Sequence, residues 1–350
     1  MWRTAAGSDM VMTQFRELCL TARRGHPMAR LGVAGLILVS TVLSIFTWGA
    51  SASTSSPKWS SPVLIGSKGS SNSQVDYSVS CPTSTFCVSV NGDGQVLYDR
   101  RGVWSSPHYL ALGGSIDSVS CSSAKFCVAI ASGEAAVYNG HVWSSATRMG
   151  PAGDTYRVSC AVPTFCAAVG ASGVPGKPSS LMTFNGRSWS KFNTTATGSV
   201  DDRLLGVSCS NPHFCMVTNY DGQVLSFNGS RWTPSHSPAA KSLISVSCAT
   251  SQFCMAVTIN GEAMTFHSQK WSRLTDVPAF KSAGAYSVSC GSATECSVIG
   301  LSGAVATWIS GRWSSPSTVF PGGYGAGVAI SCSSGSDCVA VNDGGFSASR

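Results

Sequence analysis

Hydrophobic and polar residues alternate along most of this chain in runs too short for helices. From residue 59 onward one pattern recurs seven times, with the skeleton W-S-x-x, then V-S-C-x5-C-h-h-h, then G-x-h-x-h-F-N-G-x-x-W. A period of about 40 residues holding four short strand patterns is what one blade of a β-propeller requires. In the second full unit the pattern predicts a first strand over 118–121, a second over 126–130, a third over 134–138 and a fourth over 142–147. Ser132-Gly133 separates the second from the third, and Asn139-Gly140 makes a hairpin turn between the third and fourth. The predicted fold is therefore all-β, a seven-bladed propeller of four-stranded blades.

The chain ends refine the topology. The last unit stops after its third strand at Arg350, while the first tryptophan strand, Trp59 to Ile65, precedes any cysteine pair. Trp59-Ser60-Ser61-Pro62 matches Trp313-Ser314-Ser315-Pro316, so the N-terminal strand is expected to complete the seventh blade and leave the ring no open edge.

Of 15 cysteines, 14 fall into pairs of identical spacing: Cys81 and Cys87, Cys121 and Cys127, Cys160 and Cys166, Cys209 and Cys215, Cys248 and Cys254, Cys290 and Cys296, Cys332 and Cys338. Zinc sites favour C-x2–4-C grouped with further Cys or His, which no unit supplies, so each pair is expected to be a disulfide and no metal at the cysteines is expected. The fifteenth, Cys19, lies ahead of an apolar run from Leu31 to Trp48. Basic residues Arg23, Arg24 and Arg30 precede that run, and Ala50-x-Ala52 follows it with the small-residue form of a signal-peptidase site. The same run is long enough to span a bilayer as an uncleaved anchor. The expected division is a cytoplasmic or pre-signal segment 1–30, a signal peptide or signal anchor 31–52, and the propeller 53–350. The propeller would be extracytoplasmic, secreted or held at the membrane by residues 31–48, in a compartment where disulfides persist.

Charge removes one class of partner. The formal net charge is +7, but five of the 23 Lys and Arg precede the apolar run, leaving 18 basic against 14 acidic residues, without the clustered bases or recognisable module of a nucleic-acid binder. Ten of those 14 carboxylates lie in the connections between blades and between second and third strands, so that face should be acidic. The largest insertion in the repeat, residues 170–180 in the third unit, would overhang it, and departures from a repeat are where function tends to sit. The candidate binding residues are Asp93, Glu134, Lys177, Tyr220, Asp221, Glu262 and Asp343. No cofactor is expected, although the turns at Asn91-Gly92-Asp93, Asn219-Tyr220-Asp221 and Asn342-Asp343 offer oxygens that Ca²⁺ would accept, without a dedicated loop spacing.

Phe184-Asn185-Gly186-Arg187-Ser188-Trp189 and Phe227-Asn228-Gly229-Ser230-Arg231-Trp232 resemble a degenerate Asp-box, the turn of sialidase-like propellers, lacking its serine and aspartate. The whole repeat resembles uncharacterised bacterial secreted proteins built on V-S-C-x5-C units. The sialidase resemblance would imply six blades, an arginine trio, a Tyr/Glu nucleophile pair and an acidic Asp; Arg157, Arg203, Glu134 and Glu262 are the residues available for such roles. No other catalytic motif is present. Two readings follow. One is a monomeric binding propeller for a glycan, a cell-envelope component or a protein partner, without catalytic chemistry. The alternative is a sialidase-like glycoside hydrolase.

Overall fold

A computed structural model of the chain describes residues 58–66, 77–151, 154–171, 179–192, 203–235, 237, 239, 241–278, 280, 284–322 and 327–350. The apolar run and its flanks lie outside the described residues. Seven antiparallel sheets follow one another, six built from a cysteine-bearing hairpin and the strands that succeed it and the seventh completed by the N-terminal strand. Blades are numbered here by cysteine pair, and strands are lettered A to D outward from the axis. The A strands are Tyr77–Thr83, Ile116–Ser123, Thr155–Val162, Leu204–Asn211, Leu243–Thr250, Ala285–Ser292 and Gly327–Cys332. The B strands are Phe86–Asn91, Phe126–Ala131, Phe165–Ala171, Phe214–Asn219, Phe253–Thr258, Glu295–Gly300 and Cys338–Asn342. The C strands are Gln95–Arg100, Glu134–Tyr138, Ser180–Phe184, Val224–Phe227, Glu262–His267, Ala304–Ile309 and Phe346–Ser349.

B strands are buried along almost their whole length, as in blade 1, because each is covered on both faces by neighbouring blades. That explains their unbroken apolar runs where a sheet with one wet face would alternate. Every expected disulfide is present within its own blade. Cys81 bonds Cys87, Cys121 bonds Cys127, Cys160 bonds Cys166 and Cys209 bonds Cys215. Cys248 bonds Cys254, Cys290 bonds Cys296 and Cys332 bonds Cys338. In blades 2 to 7 the two cysteines are direct cross-strand partners at the end of the A–B hairpin. The second cysteine of each pair opens the buried B strand: Cys87, Cys127, Cys166, Cys215, Cys254, Cys296 and Cys338 are all core residues. Each bond closes a short loop, worth about 2 kcal/mol in the chain-entropy account.

The serine before the first cysteine of every blade, in a V-S-C triplet in six and in Ile330-Ser331-Cys332 in the seventh, has an identical task. Its hydroxyl accepts the backbone N–H of the first cysteine in the next blade: Ser80 from Cys121, Ser120 from Cys160, Ser159 from Cys209, Ser208 from Cys248, Ser247 from Cys290, Ser289 from Cys332 and Ser331 from Cys81, all at 2.9 Å. Adjacent A strands belong to different sheets and make no backbone ladder, so an inward amide there would be orphaned without a side-chain acceptor. A second rung forms at three of the four blades in which the residue before the valine is also serine, with Ser78, Ser118 and Ser245 accepting from Val119, Val158 and Val288 at 3.2–3.3 Å.

The serine that follows the tryptophan works at the rim in five blades. In blades 1, 2, 5, 6 and 7 it donates its N–H to a C-strand carbonyl at 2.7–2.8 Å, while its hydroxyl accepts that same residue's N–H at 3.0–3.2 Å. The side chain thus takes the place of a backbone carbonyl and the outer strand breaks. In blade 2 the expected fourth strand over 142–147 is a single bridge at Trp143 followed by Thr147–Arg148. In blades 3 and 4 it runs unbroken as Trp189–Phe192 and Trp232–Ser235.

The N-terminal strand does close the ring. Val63–Leu64 pairs with the end of the chain, Val63 opposite Ser347 and Leu64 opposite Phe346, as the fourth strand of blade 7. Between blades, the aromatic residue before the second cysteine packs on an aromatic at or next to the end of the next blade's C strand: Phe126 on Phe184, Phe165 on Phe227, Phe214 on Phe266 and Phe253 on Trp308, with centroids 5.3–6.5 Å apart. The tryptophans extend the stack, as where Phe227 meets Trp232 at 4.9 Å. Glu295 interrupts this series because its counterpart in blade 7 is Arg350, and the two form an ion pair at 2.9 Å with the arginine side chain only 5% exposed. Arg350 also donates to Ser297 and lies over the Trp59 ring, tying the last residue to the N-terminal segment. At the seam between blades 7 and 1 neither position is aromatic. Asp337 accepts from the Ser334 hydroxyl, and buried Asp99 accepts the amides of Gly102 and Val103, with burial pushing its carboxyl above the ordinary range.

Two expectations follow. Ser208→Ala orphans the Cys248 amide and should cost about 1–2 kcal/mol in denaturant unfolding; unchanged stability would remove the serine ring from any structural role. Arg350→Ala should cost roughly 3 kcal/mol by stranding Glu295, whereas Glu295→Phe combined with Arg350→Trp, which restores the pairing of the neighbouring blade, should return to within about 1 kcal/mol of the parent.

Candidate functional site

The seven A strands enclose an axial channel, and its mouth on the side of the inter-blade connections widens into a cavity of about 430 Å³. Small-molecule sites commonly fall between roughly 300 and 1,000 Å³. Much of the wall is the valine and serine of the repeat. The rim is different: Asp117, Arg157, Arg203, Tyr220, Ile244 and Tyr286 stand where the repeat ends and the connections begin.

Arg157 occupies the position before the V-S-C triplet that is Ser78, Ser118, Gly206, Ser245, Ser287 or Ala329 in the other blades. It therefore forfeits the second serine rung and presents a guanidinium instead. One of its nitrogens, Nη1, donates to the Tyr156 carbonyl at 3.0 Å. Arg203 stacks on the ring of Tyr220 with its guanidinium carbon 3.8 Å from the centroid, a cation–π contact that orients a planar cation. Asp117 is the carboxylate of the lining, and it accepts the amides of Ser132 at 3.4 Å and Tyr156 at 3.2 Å, bridging blades 2 and 3. Burial, with further contributions led by the charge of Asp154, pushes the Tyr156 hydroxyl up to about 12; it stays neutral and donates to the Pro151 carbonyl.

Of the binding residues singled out in the sequence, Tyr220 is the one that lines this cavity. Glu134 accepts the Gly113 amide at 2.9 Å, and Glu262 at the equivalent place holds Lys241 at 2.7 Å. Both glutamates thereby tie the start of strand C to the connection entering their own blade. Asp93 caps its turn by donating its amide to Asn91 Oδ1. The asparagine oxygens of the Asn91, Asn219 and Asn342 turns accept the N–H of Gln95, Gln223 and Phe346 at 2.7–3.0 Å. Asp221 and Asp343 sit in these same turns outside the lining. Lys177 and most of the insertion fall outside the described residues. The cysteines take no part in the lining either; from Cys81 and Cys87 to Cys332 and Cys338 they are spent on cross-links within the blades.

Arg157 and Arg203, available to a hydrolase by type alone, are thus brought to one rim, while Glu134 and Glu262 are not. Tyr286, Ile244 and the half-exposed Ile259 were not singled out from the sequence. They occupy ordinary repeat positions or a turn in blades 5 and 6, and packing of these neighbouring blades around the axis brings them to the rim. Arg157 did carry a signal, as the single bulky side chain at a position of Ser, Gly and Ala. With Arg203 it places positive charge on the face where the connections were expected to gather carboxylates.

The fold and cavity define a seven-bladed, disulfide-stapled β-propeller with an axial pocket. No family model matches the chain, and no curated protein sequence matches it. Among solved structures, it is similar to one described as YCF48 bound to D1 peptide, at 13% identity and a TM-score of 0.61, over 83% of this chain and 94% of that one. It is also similar to streptogramin B lyase, at 8% identity and a TM-score of 0.66, over 83% of this chain and 97% of that one. At such identities the likeness is one of fold.

Proposed function

We propose that this protein is an exported binding propeller whose partner is a protein, taken up as a peptide segment at the axial pocket. One observation carries the reading: the rim brings two arginines, two tyrosines and exposed isoleucine together around a preformed cavity. Such a rim suits a chain carrying a carboxylate beside apolar side chains. Guanidinium groups recognise a carboxylate through paired N–H donors, and the aromatic and aliphatic surfaces accept its neighbours. The structural neighbour bound to a peptide supports a role of this kind for the fold, without bearing on which partner this chain takes.

Seven disulfides point to an oxidising, extracytoplasmic setting. Release after Ala52 or retention by residues 31–48 belongs to the proposal. The glycoside-hydrolase alternative has less support at this site. Glycosidases generally place two carboxyl groups roughly 5–10 Å apart across the scissile bond, and the cavity lining contributes Asp117, already engaged by two backbone amides.

The test is selection of a random peptide library against the full oxidised chain, run beside fluorogenic glycosides. Enriched peptides should carry an acidic residue or end in a free carboxylate next to an apolar residue, and Arg157→Ala with Arg203→Ala should weaken them at least tenfold. An empty selection, or peptides indifferent to both arginines, would reject the pocket as a peptide site. Glycoside turnover lost with Asp117→Asn would favour the hydrolase.

A further inference from the structure

The outer rim of the ring carries a second groove, separate from the axial pocket. Between blades 1 and 2 the C strands and C–D turns leave a groove of about 680 Å³, walled by Tyr98, Trp104, Tyr138 and Trp143 and edged by Arg100, His108 and His141. The aromatic rings meet at angles. Tyr98 lies 5.6 Å from Tyr138 at 41° and 5.8 Å from His108 at 66°, and Tyr138 lies 5.3 Å from Trp143 at 42°. Together they form a corner of ring faces and edges, held by the Trp143 indole N–H donating to the Tyr98 hydroxyl at 2.6 Å.

Comparison with the other blades isolates what is unusual. The position of Tyr98 is Val137, Thr183, Ser226, Thr265, Thr307 or Ser349 elsewhere, and that of His108 is Thr147, Thr275, Ser317 or Val63 in the blades with a broken outer strand. His141 stands where the blade 3 and blade 4 turns have Arg187 and Ser230. Three departures from the repeat, drawn from two blades and from strands and turns alike, converge on one groove. Packing does not demand them, since the other interfaces manage without, and concentrated departure from a repeat marks a surface adapted for contact.

The chemistry of the groove is specific. The side chains of Arg100, His108 and His141 form no hydrogen bond among the described residues; Arg100 lies over the Phe86 and Tyr98 rings at 5.2 and 5.9 Å. Donors and acceptors therefore border aromatic faces, with no carboxylate in the lining. Val103 and Val142 flank it at 71% and 63% exposure. A ligand that matches both halves presents weakly polarised C–H groups on one face, to lie against the electron-rich rings, and a periphery of hydroxyl oxygens for imidazole and guanidinium. Pyranose sugars have that construction. We infer that the groove between blades 1 and 2 is an oligosaccharide-binding site, with Tyr98, Trp104 and Trp143 as stacking surfaces and Arg100, His108 and His141 as hydrogen-bonding partners.

The test is titration of the full oxidised chain with cellotriose, maltotriose, chitotriose and trigalacturonate, followed by tryptophan fluorescence and calorimetry. At least one trisaccharide should bind and shift tryptophan emission. Tyr98→Thr, which installs a residue the repeat itself uses, should weaken it at least tenfold. His108→Thr and His141→Ser are exposed changes that leave the Tyr98–Trp143 bond in place, and each should weaken it at least fivefold with the melting temperature unchanged. Absence of binding to all four sugars, binding insensitive to the histidine variants, or self-association in sedimentation that these variants abolish would overturn the inference. Peptide selection at the axial pocket is read separately, so either site can fail without the other.

Discussion

The ring stands on one hydrogen bond repeated seven times, from the first cysteine amide of each blade to the V-S-C serine hydroxyl of the blade before it. Sheets that radiate from an axis converge there, and their innermost strands come close without sharing a backbone ladder. Buried amides on those strands would go unpaired. A serine is the smallest side chain that supplies an acceptor while letting the strands stay close, and its identical placement fixes both the spacing and the vertical register of adjacent blades. The disulfide next to it pins the strand that donates. Hydrogen bond and cross-link therefore act on the same residue, which is why serine and cysteine are inseparable in the repeat.

Much of the architecture was legible from the chain because repetition multiplies a weak signal: one V-S-C-x5-C unit is ambiguous, and seven with matching tryptophans and turn residues are not. The blade count, the disulfide pairing and the completion of blade 7 by Trp59 to Ile65 all came from local pattern and spacing. The broken outer strands did not, since Trp-Ser looks like any strand residue pair until the serine hydroxyl is seen replacing a carbonyl. Site residues were harder still. Charged residues in turns were weighted by type, yet Glu134, Glu262 and the turn asparagines are engaged in closing their own hairpins and connections. Cavity-forming residues such as Ile244 and Tyr286 lie in successive repeats at ordinary positions and face a common space only once the blades pack around the axis.

Departures from the repeat proved more informative than the repeat. Glu295 and Arg350 replace an aromatic pair by an ion pair where the last blade lacks its covalent outer strand. Arg157 gives up a serine rung to place a cation at the pore. Tyr98, His108 and His141 gather on one outer groove. Each departure is paired in space with another, so what reads as drift along the sequence is correlated once the blades are assembled. A repeat protein of this kind separates its tasks: the invariant positions hold the ring, and the variable ones are left to chemistry.

Blade 7 is shared by the N-terminal strand and the C-terminal hairpin, and this sets an order of events during folding. Each disulfide joins cysteines six residues apart and can form as soon as its hairpin emerges, whatever the state of the remainder. Closure is opposite in kind. Val63 and Leu64 are among the first propeller residues to be made, but their partners Phe346 and Ser347 are among the last, so this pairing carries the longest loop in the molecule and is slow for that reason. Until that pairing forms, the chain is an arc of individually stapled blades with both terminal faces uncovered. Completion of the fold is thereby concentrated in a single late step, the meeting of the first strand with the last.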